Sequence, residues 1–426
     1  MAFTTTGLLG SADIVYSSIT GRSSAEIGAD IWSGNHACFG QVQHYFRLCG
    51  SLKRVLTIAT VVAVLSAVTG CSQIAYYSQS IGGQLELMGK RRPITDVAAE
   101  ASAPEVLRER LMEVLQIRQF AVDGLKLPDN DSYRLYADLE RPYAVWNVFA
   151  APEFSLQPKK WCFLIVGCLS YRGYFDEQDA LRYAAVLREE GLDVVVSGIR
   201  AYSTLGWFDD PILNTFMDLP RYQLAGLIFH ELAHQQLYID DDSTFNESFA
   251  TAVQGAGVRR YLQRYGDPWE HEEHERAQAR RVGFLELVMA ARKRLNDLYQ
   301  LPMAPGKMRI AKQEVIEELR ADYKRLREQW GGYRGYDAWF AKDLNNAKLA
   351  AVSTYQRYVP AFERLLEQQG SFERFYEAAK NLGALPPEER LKRLQALTTA
   401  TINAGQTDAR RRVVRFDSKD LDTAAR

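Results

Sequence analysis

The sequence predicts an α+β chain: a small sheet, then two consecutive helices that carry a paired-histidine motif, then a largely helical C-terminal region. Three observations predict it. Two apolar, β-rich runs flank one amphipathic helix between residues 161 and 199. Two helical segments follow directly, at Arg221 to Tyr238 and about Phe245 to Tyr265. Beyond them, from Glu270 to the mid-390s, the sequence is long, charged and helical in pattern.

Each element has a local cause. Val106 to Leu125 places Leu107, Leu111, Val114, Leu115 and Ile117 near helical spacing and reads as scaffold. Trp161 to Leu169 and Leu192 to Ile199 read as strands, and Glu177 to Glu190 as a helix stopped by Gly191. In Arg221 to Tyr238 an apolar stripe runs through Leu224, Leu227, Ile228, Leu232 and Leu237, with no Pro or Gly after Gly226. An acidic turn at Asp240 to Asp242 separates it from the next helix. The C-terminal helices are interrupted at Pro302 to Gly306 and near Gly331 to Gly335, and the polar segment Asp408 to Arg426 reads as a disordered tail.

A chain that is 47% hydrophobic and 25% charged is ordinary globular sequence, neither disordered nor fibrous. The net charge of -1, from 52 basic and 53 acidic side chains, excludes a global field that would hold it on nucleic acid. The run Arg410-Arg411-Arg412 has no interleaved aromatics and reads as tail.

Lys53 and Arg54 precede the apolar run Val55 to Val68, and Thr69-Gly70 lead into Cys71. That order is a secretory signal, too short to span a bilayer. Its end, Val68-Thr69-Gly70-Cys71, resembles a bacterial lipoprotein signal. The resemblance implies that Cys71 is lipidated and that Ser72 favours the outer membrane, facing the periplasm. A plain signal or a short uncleaved anchor is the competing reading. Residues 1–50 precede this signal and read as a start assigned too early, against a genuine N-terminal extension; in the first case Cys38 and Cys49 carry no meaning. An oxidising periplasm favours pairing Cys162 with Cys168, against two buried thiols.

The chemistry lies in His230-Glu231-Leu232-Ala233-His234. Residues four apart share a helical face, so both imidazoles reach one ion, and Glu231 stands one step round as a general base. A catalytic zinc needs a third protein ligand and an open position. Glu247, thirteen positions after His234 on the next helix, is the candidate. Thr244-x-x-Glu247 also fits a capping box, which would give Glu247 a purely structural role.

Asn246-Glu247-Ser248-Phe249-Ala250 resembles the N-E-G-F-A segment that carries the third ligand in gluzincin aminopeptidases. The whole constellation resembles the predicted aminopeptidase family of bacterial lipoproteins, within the gluzincins. Supporting segments are 74–93, 167–176, 201–211, His230 to Gln235 and Asn345 to Tyr355. The resemblance implies a zincin-like core with a small mixed sheet and two active-site helices. It also implies one Zn2+ on His230, His234 and Glu247, a peptide or protein substrate, and a sheet edge at about Val194 to Tyr202 that binds substrate backbone. The gap to Glu247 is shorter than in thermolysin or the large aminopeptidases, and no G-A-M-E-N segment is present.

Tyr202 and Tyr355, from the family-like segments, are candidate oxyanion donors, and Asn345 and Asn346 candidate substrate contacts or helix-turning residues. Asp209 and Asp210 read as a turn before Pro211. His271 and His274, among four acidic neighbours, read as a solvated helix face. The expected organisation is an extension (1–50), a signal (51–70), a mixed region (71–158), the catalytic core (159–268), a helical region (269–406) and a tail (407–426). The expected function is a zinc-dependent aminopeptidase. The alternatives are an endopeptidase acting on envelope proteins or peptidoglycan stems, and a catalytically silent zinc-containing adaptor.

Overall fold

A computed structural model describes residues 14–16 and 76–398, apart from 164–166, 205–207, 241, 342–343 and 353–357. The expectations for Cys38, Cys49, the signal, Cys71, Tyr355 and the tail fall outside the described residues. The chain divides into two compact units, Thr20–Gly89 and the remainder. Of the first, residues 76–89 are described and form one helix, α1. Among the described residues no helix is long and apolar enough to cross a membrane.

The larger unit is α+β. Its central strand is β4 (Val145–Pro152), which the sequence reading missed. β4 lies between β7 (Arg172–Tyr174) and β8 (Leu192–Ile199) and is antiparallel to both. The β4–β8 register runs from Val145 opposite Ile199 to Pro152 opposite Leu192. Helix α4 (Glu177–Glu189) joins β7 to β8 and is capped by Asp176, whose side chain accepts from the Asp179 amide. A separate hairpin, β5 (Trp161–Phe163) with β6 (Gly167–Leu169), carries the Cys162–Cys168 disulfide across its paired positions. The run 161–169, expected as one strand, is therefore two.

Short pairings complete the strands. β1 (Ile14–Tyr16) runs parallel to β9 (Ala201–Ser203), and β3 (Leu135–Ala137) joins β2 (Arg92–Pro93) to β10 (Ile212–Leu213).

The helical side is built on α5 (Arg221–Gln236) and α6 (Ser243–Tyr265), which pack along each other and against α3 (Glu105–Leu125), itself covered by the short α2 (Ile94–Ala99). Phe120 of α3, Phe229 of α5 and Tyr261 of α6 meet with ring centroids 5.3 to 6.1 Å apart. On the far side of α6, Phe249 stacks on Phe375 and meets Phe362 edge-on, joining α11 (Val359–Gln369) and α12 (Phe372–Gly383) to the same core. Aromatic contact of this kind adds about 0.5–1.5 kcal/mol per pair beyond area burial.

A second core lies between the long helices α7 (Pro268–Leu298) and α8 (Pro305–Gln329), filled by Phe284, Leu295, Ile316, Leu319 and Tyr323 together with Phe340 of the short α9 (Asp337–Ala341). It is latched to the sheet by Lys312, whose ammonium meets the Asp193 carboxylate at 2.6 Å and the Glu153 carbonyl at 2.9 Å.

Candidate active site

Helix α5 is buried on nearly every side, which is why its polar residues stand out: His230, Glu231 and His234 are each at most 1% exposed. Buried polar groups need partners. The chain supplies one from α6, where Glu247 is also 1% exposed. The loop between the helices is short because Asn246 closes it. Its side chain accepts from the Ile239 amide at 2.8 Å and donates to the Ile239 carbonyl at 2.7 Å, pairing with the backbone as a strand would. The residue after Asn246 is thereby pinned opposite His230 and His234.

The α6 cap is Asp242, whose carboxylate accepts from the Phe245 amide at 3.0 Å. The Thr244–Glu247 capping box therefore does not form, and Glu247 is left for the interior. Its oxygens lie 3.4 Å from His230 Nε2 and 3.7 Å from His234 Nε2, and the two Nε2 atoms are 3.0 Å apart. Neither Glu247 oxygen accepts a hydrogen bond. Among the described residues His230, His234 and Glu247 are the one group whose ligand atoms all lie within 4.8 Å of one another.

This donor set fits a metal ion. Two imidazoles and a carboxylate bound tetrahedrally at ~2.0–2.1 Å would place ligand atoms roughly 3.3 Å apart. Burial pulls His234 down to about 4, against the opposing pull of Glu247, so its imidazole is neutral and can ligate. The His234 contact with Glu247 is accordingly not an ion pair. His230 Nδ1 donates to the Gln254 side-chain carbonyl at 3.1 Å, which leaves the Nε2 lone pair facing the same point.

Glu231 sits beside this group, with the Ser203 hydroxyl next to its carboxyl. Burial raises its carboxyl well above the usual range; the Ser203 hydroxyl opposes the rise, and Glu247 and Asp210 add to it. Its surroundings come from two loops. Asp210, buried, accepts from the Ser203 hydroxyl at 2.9 Å, the Thr204 amide at 3.0 Å and the Thr204 hydroxyl at 2.7 Å. Burial still pushes it up to about 6.

Tyr133 approaches from the other loop in the left-handed region, at φ 64°, a conformation that favours glycine. Surrounding bonds hold it there. The Tyr133 amide donates to the Asp210 carbonyl at 2.7 Å, and buried Arg118 of α3 donates to the carbonyls of Ser132, Pro128 and Asn130. The phenol is buried, and the Glu231 and Asp210 charges add to the burial that raises it well above its usual value. Gln235 of α5 ties the same loop to the active-site helix through Asn130 and Ser132.

The family described as "Putative aminopeptidase" matches residues 75–394. The chain belongs to this family, Aminopep. No curated protein and no solved structure matches the chain. Aminopep membership gives peptidase chemistry as the function class, and it spans both the helix pair of the site and the C-terminal helices.

In this Aminopep chain the structure brings His230, Glu231, His234 and Glu247 together. Tyr202 lies buried in β9, its ring edge-on to Phe175. Asn345 donates to the Val194 carbonyl at 3.1 Å, at the sheet edge, and accepts from the Lys348 amide. Asn346 is fully buried. It donates to the carbonyls of Pro152 and Glu153 and accepts from the Tyr299 hydroxyl, so both asparagines sit in the framework that joins α10 (Asn346–Val352) to the sheet.

The expectation of a solvated face at His271 and His274 is corrected. Asp267 and Glu270 form the capping box of α7, and Glu270 is paired with Arg221 of α5, which turns the helix so that His274 packs edge-on against Tyr222 at 4% exposure. His271 instead reaches the Leu262 carbonyl at 3.0 Å.

Sequence reasoning missed Gln254, Tyr133 and Ser203. Gln254 carried a usable signal, standing seven residues after Glu247 on the same helical face. Tyr133 carried none, because a left-handed tyrosine in a loop has no periodicity.

Proposed function

We propose that this chain is a zinc-dependent peptidase, acting as an aminopeptidase, with His230, His234 and Glu247 holding the ion and Glu231 as general base. The observation that carries the reading is the convergence of three buried ligand atoms on one point, next to a second buried acid, Glu231. Imidazole with carboxylate suits zinc best among common ions. When bound, the ion supplies Lewis-acid polarisation of the scissile carbonyl and an acidified water.

The chain's own residues do the rest. Glu231, as a carboxylate beside the ion, takes a proton from the attacking water and returns it to the leaving amine. Gln254 fixes the His230 tautomer. The edge at Val194 to Tyr202 receives substrate backbone, shaped by Asn345, and Tyr202 and Tyr355 are proposed oxyanion donors.

Hydrolysis of a mixed peptide library by the purified chain, beside Glu231→Gln and with metal content measured on both, tests this. The expected result is cleavage from amino termini by the wild type, and a variant that holds the ion with activity reduced about 10²–10⁴-fold. A chain that binds no metal, or a variant as active as wild type, overturns it. We also propose a cell-envelope address through lipidation of Cys71, at the outer membrane facing the periplasm. Incorporation of labelled fatty acid that Cys71→Ala abolishes is the expected result, and equal labelling of both refutes it.

A further inference from the structure

Beside the metal ligands, α5, α6, α7 and α11 enclose a cavity of about 500 Å3 that the proposed chemistry does not use. Its size lies within the ~300–1,000 Å3 range of small-ligand sites. It begins at Gln254, whose carbonyl holds His230 Nδ1, and at Thr251, one turn after Glu247.

The lining is not that of a packing defect, which would be apolar and dry. Four of its buried polar atoms have no hydrogen-bond partner: Gln223 Oε1, Thr251 Oγ1, His274 Nδ1 and the Tyr336 hydroxyl. The Tyr336 ring is locked by stacking on Phe284 with centroids 4.4 Å apart, so its hydroxyl is fixed in position. Arg281 brings a guanidinium into the same wall, and burial pulls it down to about 10, with Tyr336 opposing. Arg259 lies at the margin, 3.7 Å from Glu363, and Glu275 adds a second carboxylate. Leu285 and Val359 supply an apolar floor and exposed Val282 an apolar rim.

A wall that mixes guanidinium, carboxylates, hydroxyls and aliphatic side chains matches a small zwitterion that carries an apolar group. We propose that this cavity binds an aliphatic α-amino-acid unit with a free carboxylate, received by Arg281 and Tyr336, and that its occupant rests against the amide that orients His230. The same chemistry comes from two sources, a free amino acid released by the reaction or the carboxyl end of a short peptide. The choice of ligand class rests on the peptidase reading; the site itself rests on the cavity.

Calorimetric titration of the full chain with L-leucine and leucinamide tests the site, and titration of Glu231→Gln with leucyl-leucine and its C-terminal amide separates the sources. The expected result is binding of at least one free acid, about tenfold or more tighter than its amide, with Arg281→Met weakening it at least about tenfold and Arg281→Lys weakening it less. Binding of leucine identifies a free amino acid, and binding of the dipeptide without leucine identifies a peptide end; either supports the site. If Arg281→Met does not fold, Tyr336→Phe must weaken binding measurably. Acids that bind no better than their amides, or not at all, overturn the proposal, as does unchanged affinity in these variants. Calorimetry reads binding without turnover. A chain that hydrolyses peptides yet binds no leucine or dipeptide acid sinks this inference alone, and one that binds them without hydrolysing sinks only the peptidase reading.

Discussion

Replacing Gln254 by leucine removes a single hydrogen bond, and its effect follows from the local geometry. The side chain reaches His230 Nδ1 at 3.1 Å because position 226 is glycine: a Cβ there would stand 3.1 Å from Gln254 Nε2 and 3.3 Å from Val258. Leucine is close in volume to glutamine, so the core is kept, but Nδ1 loses its acceptor. The imidazole is then free to place its proton on Nε2, facing Glu247 at 3.4 Å instead of offering a lone pair.

Loss of such a partner behind a metal-bound histidine lowers metal affinity by about 10–100-fold, or about 1.4–2.7 kcal/mol. Gly226→Ala perturbs the same bond from the other side by pushing the amide a few tenths of an ångström, and should lower affinity by about threefold to tenfold. The two changes act through one contact, so the double variant should fall short of their sum. Chelator competition on the purified proteins measures all three. Affinity in Gln254→Leu within twofold of wild type, or strict additivity, refutes the argument that this amide sets the ligand geometry.

Two further perturbations probe the surroundings of Glu231. Asp210 has a folded value raised from 3.8 to about 6, so between those limits the folded chain holds the extra proton and stability falls as pH rises, by up to about 3 kcal/mol. Asp210→Asn should flatten that part of a stability-against-pH curve from denaturant unfolding; an unchanged slope refutes it. Arg118→Met leaves the Pro128, Asn130 and Ser132 carbonyls without their buried donor, and should destabilise the chain by about 3 kcal/mol or more, at about 1–3 kcal/mol for each acceptor left unpaired. A loss below about 1 kcal/mol, read from the unfolding midpoint, would contradict it.

The helices that hold the ligands were legible because their signals are local. Apolar spacing placed one over Arg221 to Tyr238, and it runs Arg221–Gln236; the next was placed from about Phe245 and begins at Ser243. The strand Leu192–Ile199 was bounded correctly by its valine run. The central strand was not, because Val145–Pro152 is buried on both faces and shows no alternation to separate it from any other apolar run. The capping-box reading of Glu247 was undone by Asp242 two residues before Thr244, a competition that burial decides and spacing cannot. Tyr133 and Asp210 meet Glu231 from segments far apart in sequence, and only the fold brings them there.

Glu231 and Glu247 are two acids buried side by side, each about 1% exposed. On the proposed reading, the cation that joins them is also a tether on the folded state, because an ion that binds only the folded chain raises its stability in proportion to the logarithm of its free concentration. Scarcity of the ion would then do more than idle the enzyme. It would enlarge the share of molecules open to proteolysis, so that the supply of metal to the compartment governs how long each copy survives as well as how fast it works.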